Sequence, residues 1–302
     1  MLKTNLVGIE LEGCIYNASG VNCTSKDELF ELSGSDACAV VSKSCTFDYR
    51  IGNSLPRYYE NNVCSINSTG LANNGYKYYG DVVLPKPYFV SVCGLKEENN
   101  IEMLKYLDKK SNIRAIELNL SCPNIIGKSQ VGYDFETMGE FLRKVSELGL
   151  NHKLGLKLPP YFDIVHFETA ADIIKKNKID FLTCINSLGN GLVINNKTDT
   201  VGIKPKLGFG GIGGSVVKPI ALSNVHKFYK LTDCDIIGCG GVVTGMDVYE
   251  HILCGASVVQ IGTQLKKEGV NVFNRISNEL KIIMEEKGMN CLSDFRGQLG
   301  FL

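Results

Sequence analysis

Between Ala115 and Glu136 the sequence reads AIELNLSCPNIIGKSQVGYDFE, and Asn119, Ser121, Cys122 and Asn124 crowd into one short piece of it. An apolar run that stops abruptly at polar residues is how a buried parallel strand delivers side chains to its carboxyl edge. Cys122 stands where the regularity ends, with Pro123 behind it to fix the turn and a carboxamide on either side. A thiol there can act as nucleophile or proton acceptor, although a free cysteine is commonly only a small buried hydrophobe. Gly127 and Lys128 follow in a loop.

Other apolar segments end in the same manner. ACAVVSKS closes on Lys43 and Ser44, CSIN on Asn67, KLGLKLPP carries Lys157 near its end, and DFLTCINS closes on Asn186. DIIGCGG ends in Gly240 and Gly241, and SVVQIGT in Gly262 and Thr263. Asn67, Asn119, Asn124 and Asn186 offer donors and acceptors without net charge, which suits a planar ligand with imide edges. Lys43 and Lys157 add positive charge, and glycine-bounded amides after the last two strands suit a phosphate. Solvated lysines and ordinary glycine turns are the competing reading of these positions. Ala18, Ser19 and Gly20 form a further small-residue segment, either a turn or a flat wall beside a ligand. His152, His166, His226 and His251 all fall away from the predicted strand ends, so Cys122 is the best-placed base.

The elements that must position these groups alternate. Eight apolar strands (ACAVVSKS, CSIN, YFVSVCG, AIELNL, KLGLKLPP, DFLTCINS, DIIGCGG and SVVQIGT) are interleaved with amphipathic helices such as KDELFELSG and MDVYEHILCG. This order predicts a parallel sheet, and eight strands close an α/β barrel of the (β/α)8 TIM type. NLVGIELEGCIY predicts an N-terminal hairpin over one end. The Gly-rich stretch from Asn186 to Pro219 is too long for an ordinary loop and predicts an insertion after strand six, with short strands LVIN and VGIK over the barrel mouth. No linker or repeat interrupts the chain, so residues 1–302 are expected to form a single domain.

Bulk composition narrows the function classes. With 32 basic and 32 acidic side chains in 302 residues, nothing favours nucleic acid as a partner. Twelve cysteines are scattered without a C-x-x-C pair, which argues against a zinc ribbon or an iron-sulphur run and predicts no metal site. The opening MLKTNLVGIELEG lacks a signal peptide, and no apolar run reaches membrane-spanning length, so a reduced cytoplasmic location is expected.

Taken together, NLSCPN, VSKSCT, INSTGLAN, LPPYFD, INSLGNGL, KPKLGFGGIGG and the GCGG and QIGT strand ends resemble the dihydroorotate dehydrogenases, most closely the cytosolic, fumarate-linked class 1A. The resemblance implies an FMN-bearing barrel, as a homodimer, that oxidises dihydroorotate to orotate in pyrimidine biosynthesis and reduces fumarate to succinate. It implies Cys122 as the base at substrate carbon 5, with Lys43 also catalytic and reaching both ligand and flavin. Asn67, Gly70, Leu71, Asn119, Asn124, Asn186 and Ser187 would hold the pyrimidine. Ala18, Ser19, Gly20, Ser44, Asn119, Lys157, Ile185, Gly214, Gly240, Gly241, Gly262 and Thr263 would line the flavin, with Lys157 near its pyrimidine end. Thr69, Ala72, Ile126 and Ser129 depart from the family's usual residues, on the substrate side and in a loop that would close over the ligand. Two other readings stay open: a class 1B-type subunit that passes electrons to NAD through a separate iron-sulphur and FAD subunit, and a barrel that binds a phosphorylated metabolite without redox work.

Overall fold

In the computed structural model, residues 1–124 and 130–302 are described, so Ile126, Gly127, Lys128 and Ser129 lie outside the described residues. The central strands are Ile15–Asn17 (β1), Val40–Val41 (β2), Tyr88–Val92 (β3), Ala115–Asn119 (β4), Lys153–Leu158 (β5), Phe181–Cys184 (β6), Asp235–Cys239 (β7) and Ala256–Ile261 (β8). All eight run parallel in the order β1-β8-β7-β6-β5-β4-β3-β2. Helices such as Phe135–Ser146, Ile164–Lys175 and Lys218–Leu231 cover the outside. With both faces covered, the strands carry near-continuous apolar runs; all five residues of β3 and of β4 are buried.

The ends of that order meet through a side chain. Cys38 N–H donates to Ile15 O at 2.9 Å, and the Asn17 carboxamide exchanges two hydrogen bonds with the Val41 backbone, at 2.7 and 3.0 Å. Asn17 is fully buried, so its amide completes the ladder where β1 and β2 are too short to do so. The barrel is thereby closed.

Two strand assignments made from the sequence are corrected here. CSIN is not a barrel strand: Ser65–Asn67 pairs antiparallel with Tyr58–Glu60 and with Phe209–Gly213, in a four-stranded sheet that Leu188–Leu192 completes. The first barrel strand instead comes from the end of the supposed hairpin segment. That hairpin is Thr4–Leu6 paired with Ile9–Leu11, and the chain then runs on into β1. Runs of three residues carry too little periodicity to show whether their partners lie beside them or across the fold. The insertion after β6 is present, but its two-stranded ribbon is Ile194–Asn195 with Thr200–Val201, which takes in half of LVIN and only Val201 of VGIK.

Inside the barrel, side chains two apart on a strand share a face. The Phe181 ring occupies the space that a Cβ on Gly155 would need. Tyr16 and Phe89 meet edge to face at 5.7 Å. Above this apolar filling sits a polar tier that includes Ser91, Glu117, Thr183 and Gln260, and above that a cavity opens.

Candidate active site

The cavity, about 1130 Å³, lies at the carboxyl ends of the strands and is roofed by the antiparallel insertion. Every residue given a ligand-facing role above borders it except Gly70. Gly70 is set back from the lining: its φ of +66° makes a left-handed turn, and a Cβ there would run into Asn53. Its part is to turn the chain so that its neighbours Thr69 and Leu71 face the cavity.

On one side the four asparagines form two linked pairs. Asn124 Nδ2 donates to Asn67 Oδ1 at 2.9 Å, and Asn186 Nδ2 donates to Ser121 O at 2.9 Å and Asn119 Oδ1 at 3.3 Å. Ser121 N–H and hydroxyl both donate to Asn119 Oδ1, and Asn119 Nδ2 donates to Ser44 Oγ at 3.0 Å. These bonds fix which edge of each carboxamide faces inward. Asn124 Oδ1 is buried and has no hydrogen-bond partner among the described residues. A buried acceptor left in that state favours a ligand that brings an N–H.

Cys122 stands beside this group, bordering the cavity. Its thiol is lowered to about 7, first by a hydrogen bond from the Cys93 thiol, then by the Asn124 backbone amide and the charges of Lys43 and Arg50, against the opposing effect of burial. Cys93 is pushed the other way by the same contact and by its own burial. Cys93 directly follows β3 and Cys122 lies just past β4, and these strands are neighbours. A thiolate at neutral pH next to bound ligand is a competent proton acceptor. Lys43 is buried and also faces the cavity.

The opposite wall is built from backbone. A Cβ on Gly20 would meet only Lys43 Nζ, at 3.9 Å, and one on Gly262 only Ala18 Cβ, at 3.8 Å, so any side chain at either position would project into the free space. Gly214, Gly240 and Gly241 have φ of +90°, +129° and +80°, which leaves their turns to glycine. The Gly240 carbonyl is held from behind by His251 Nε2 at 3.0 Å. Lys157, 5% exposed, brings an ammonium to the floor of this wall. A flat ring against small residues, with a phosphate among glycine amides and a cation near one ring edge, fits this arrangement.

Sequence reasoning passed over Cys239, Gln260 and Lys218, which also border the cavity. Gln260 was detectable as a lone polar residue in the apolar run of β8. Lys218 was not, because it is placed by ion pairs with Asp247 and Glu250, both 2.7 Å long. Among the described residues no group of His, Cys, Asp and Glu is placed to hold a metal, and no helix is long and apolar enough to cross a membrane.

Comparison with known proteins gives a uniform picture. The family model described as dihydroorotate dehydrogenase matches residues 1–284. A protein named probable dihydroorotate dehydrogenase A (fumarate) from Streptococcus pneumoniae serotype 4 is 49% identical over 309 residues, covering 99% of this chain and 98% of its own. A putative dihydroorotate dehydrogenase A (fumarate) from Streptococcus uberis is 51% identical over 308 residues, with 99% and 98% covered. Among solved structures, a dihydroorotate dehydrogenase from Eimeria tenella, crystallised with ferulenol, superposes with a TM-score of 0.79 at 21% identity, over 98% of this chain and 88% of that one. That likeness concerns the fold.

Proposed function

Because the chain belongs to the dihydroorotate dehydrogenase family, we propose that it oxidises (S)-dihydroorotate to orotate on bound FMN and passes the electrons to fumarate, in pyrimidine biosynthesis. The observation that carries this reading is one cavity with two unlike sides: an asparagine-ringed thiol lowered to about 7, facing a glycine wall with Lys157 at its floor. The fumarate-linked names of relatives near 50% identity favour fumarate over a partner-subunit acceptor.

In this reading Asn67, Asn119, Asn124 and Asn186 grip the edges of the pyrimidine, and the Asn124 Oδ1 accepts a ring N–H. Lys43 offers its cation to the substrate carboxylate. The Cys122 thiolate removes the proton from carbon 5 while the hydrogen on carbon 6 leaves with its electron pair, so a carbon-carbon double bond forms and the sulfur ends protonated. Bound FMN supplies the acceptor for that hydride. Lys157, on the cavity lining, would offset the negative charge gained by the ring. When fumarate replaces orotate, the flow of electrons and protons runs in the opposite sense to give succinate, which requires ping-pong kinetics.

Twelve free cysteines suit the reducing cytoplasm. A homodimer is the assembly we favour, joined through the insertion. There Ile194 pairs with Val201 and Leu192 with Phe209, and all four side chains are exposed.

The test is an anaerobic titration of the purified yellow protein, first with dihydroorotate and then with fumarate. Bleaching by the first and return of the colour with the second is the expected result. Bleaching without recovery on fumarate would point to a separate acceptor subunit, and no flavin uptake at all would remove redox chemistry from the account.

A further inference from the structure

Glu117 takes no part in the chemistry above, yet it is 1% exposed in the middle of β4, on the face that looks into the barrel. Its carboxylate accepts four hydrogen bonds. Oε1 takes them from Ser19 Oγ at 2.8 Å and Ser91 Oγ at 2.9 Å, and Oε2 from Thr183 Oγ1 at 2.9 Å and Gln260 Nε2 at 3.2 Å. The donors come from β3, β6, β8 and the segment after β1, a set that suits a charged carboxylate.

Two of the same side chains touch Lys157. Its Nζ donates to Ser19 Oγ and to Gln260 Oε1, each at 3.4 Å. The two opposite charges are therefore joined through two bridges directly beneath the cavity. A buried ammonium with only two long hydrogen bonds needs a compensating charge nearby. Burial alone would push the Lys157 amine down, but Cys239, Glu117 and Cys23 together outweigh it and the net direction is up.

Resting on the flavin reading above, we propose that Glu117 is a positioning residue: it is the counter-charge that holds Lys157 at the cavity floor, and it tempers the field of that lysine and so sets the reduction potential of the bound flavin. An uncompensated ammonium near the ring edge would make electron uptake too favourable for easy transfer onward. The carboxylate restrains this.

The experiment is a spectroelectrochemical titration at pH 6 of flavin-loaded wild type, Glu117→Gln and Glu117→Asp. Glu117→Gln keeps the shape, and its amide can donate to the serine hydroxyls while its oxygen still accepts from Gln260. Its expected effect is at least a tenfold higher ratio of reduced to oxidised flavin at a given poise, an upward shift of about 30 mV for a two-electron couple. Glu117→Asp keeps the charge and disturbs the hydrogen bonds, and its ratio should stay within about threefold of wild type. A purely structural hub gives the reverse order, and that order, or an unchanged potential in Glu117→Gln, overturns the proposal. If Glu117→Gln alone fails to fold, Glu117→Gln with Lys157→Met must recover a folded protein, because the stranded charge is then gone. A double variant as unstable as the single would refute the pairing. A wild type that binds no flavin would sink the functional reading and this inference with it, whereas wild type bleached by dihydroorotate with no shift in Glu117→Gln sinks only the inference.

Discussion

At the scale of single residues, the chemistry turns on how Cys122 becomes a base. The Asn124 backbone amide and the Lys43 cation both favour the thiolate. The largest influence is nevertheless the thiol of Cys93, which closes YFVSVCG and carried no assigned role. Since the active form is the thiolate, the rate of flavin reduction by dihydroorotate should rise about tenfold per pH unit below about 7 and level off above it. Replacing Cys93 with Ala removes a stabilising donor, so the bend should move to higher pH in stopped-flow profiles. Cys122→Ala should retain flavin but reduce it ~10²- to 10⁴-fold more slowly. An unaltered reduction rate would mean that another group takes the proton.

At the scale of elements, two contacts hold the rim in place. Asn17→Ala would strip the β1–β2 seam of its bonds to Val41 and leave buried backbone groups unpaired, at a cost of about 2–4 kcal/mol. Chemical denaturation should show that loss, and hydrogen exchange at Val41 should quicken. His251, on the helix Gly245–Leu253, is fully buried beneath the Gly240 turn and is lowered to about 4, mainly by burial. Its Nε2–H donates to the Gly240 carbonyl, while Nδ1 is buried with no partner among the described residues, so burial keeps the native ring neutral at neutral pH. The unfolded chain binds the extra proton first, below about 6.5. Stability from this site is therefore intact above about pH 6.5 and drains away as pH falls toward 4, by at most about 1.4 kcal/mol per unit. Melting temperatures of wild type and His251→Phe across this range should converge in acid; parallel curves would exclude the site as the cause.

At the scale of the whole molecule, the insertion after β6 does two jobs. Its inner strands, with Ser65–Asn67, roof the cavity, while its outer face shows the apolar pairs Ile194–Val201 and Leu192–Phe209 to solvent. Sedimentation should give twice the mass of the chain, and Ile194→Asp should shift it toward the monomer by placing a charge in the proposed contact. A dimer unaffected by that change would place the interface elsewhere.

The chain alone determined a good deal. Apolar runs ending in Lys43, Asn119, Lys157, Asn186 and paired glycines were enough to read a parallel barrel with its chemistry at one rim, because residue type and short-range period survive in a one-dimensional string. It also singled out Cys122. What it left undecided were choices made by distant partners. Ser65–Asn67 became roof and Ile15–Asn17 became barrel because of what each pairs with, and three residues cannot announce a partner far away in sequence. The same holds for the seam at Asn17, the thiol behind Cys122 and the carboxylate under Lys157. Each acquires its property only from a neighbour that folding brings within hydrogen-bond reach, and hydrogen bonds and desolvation act over ångströms of space, not over positions in a chain.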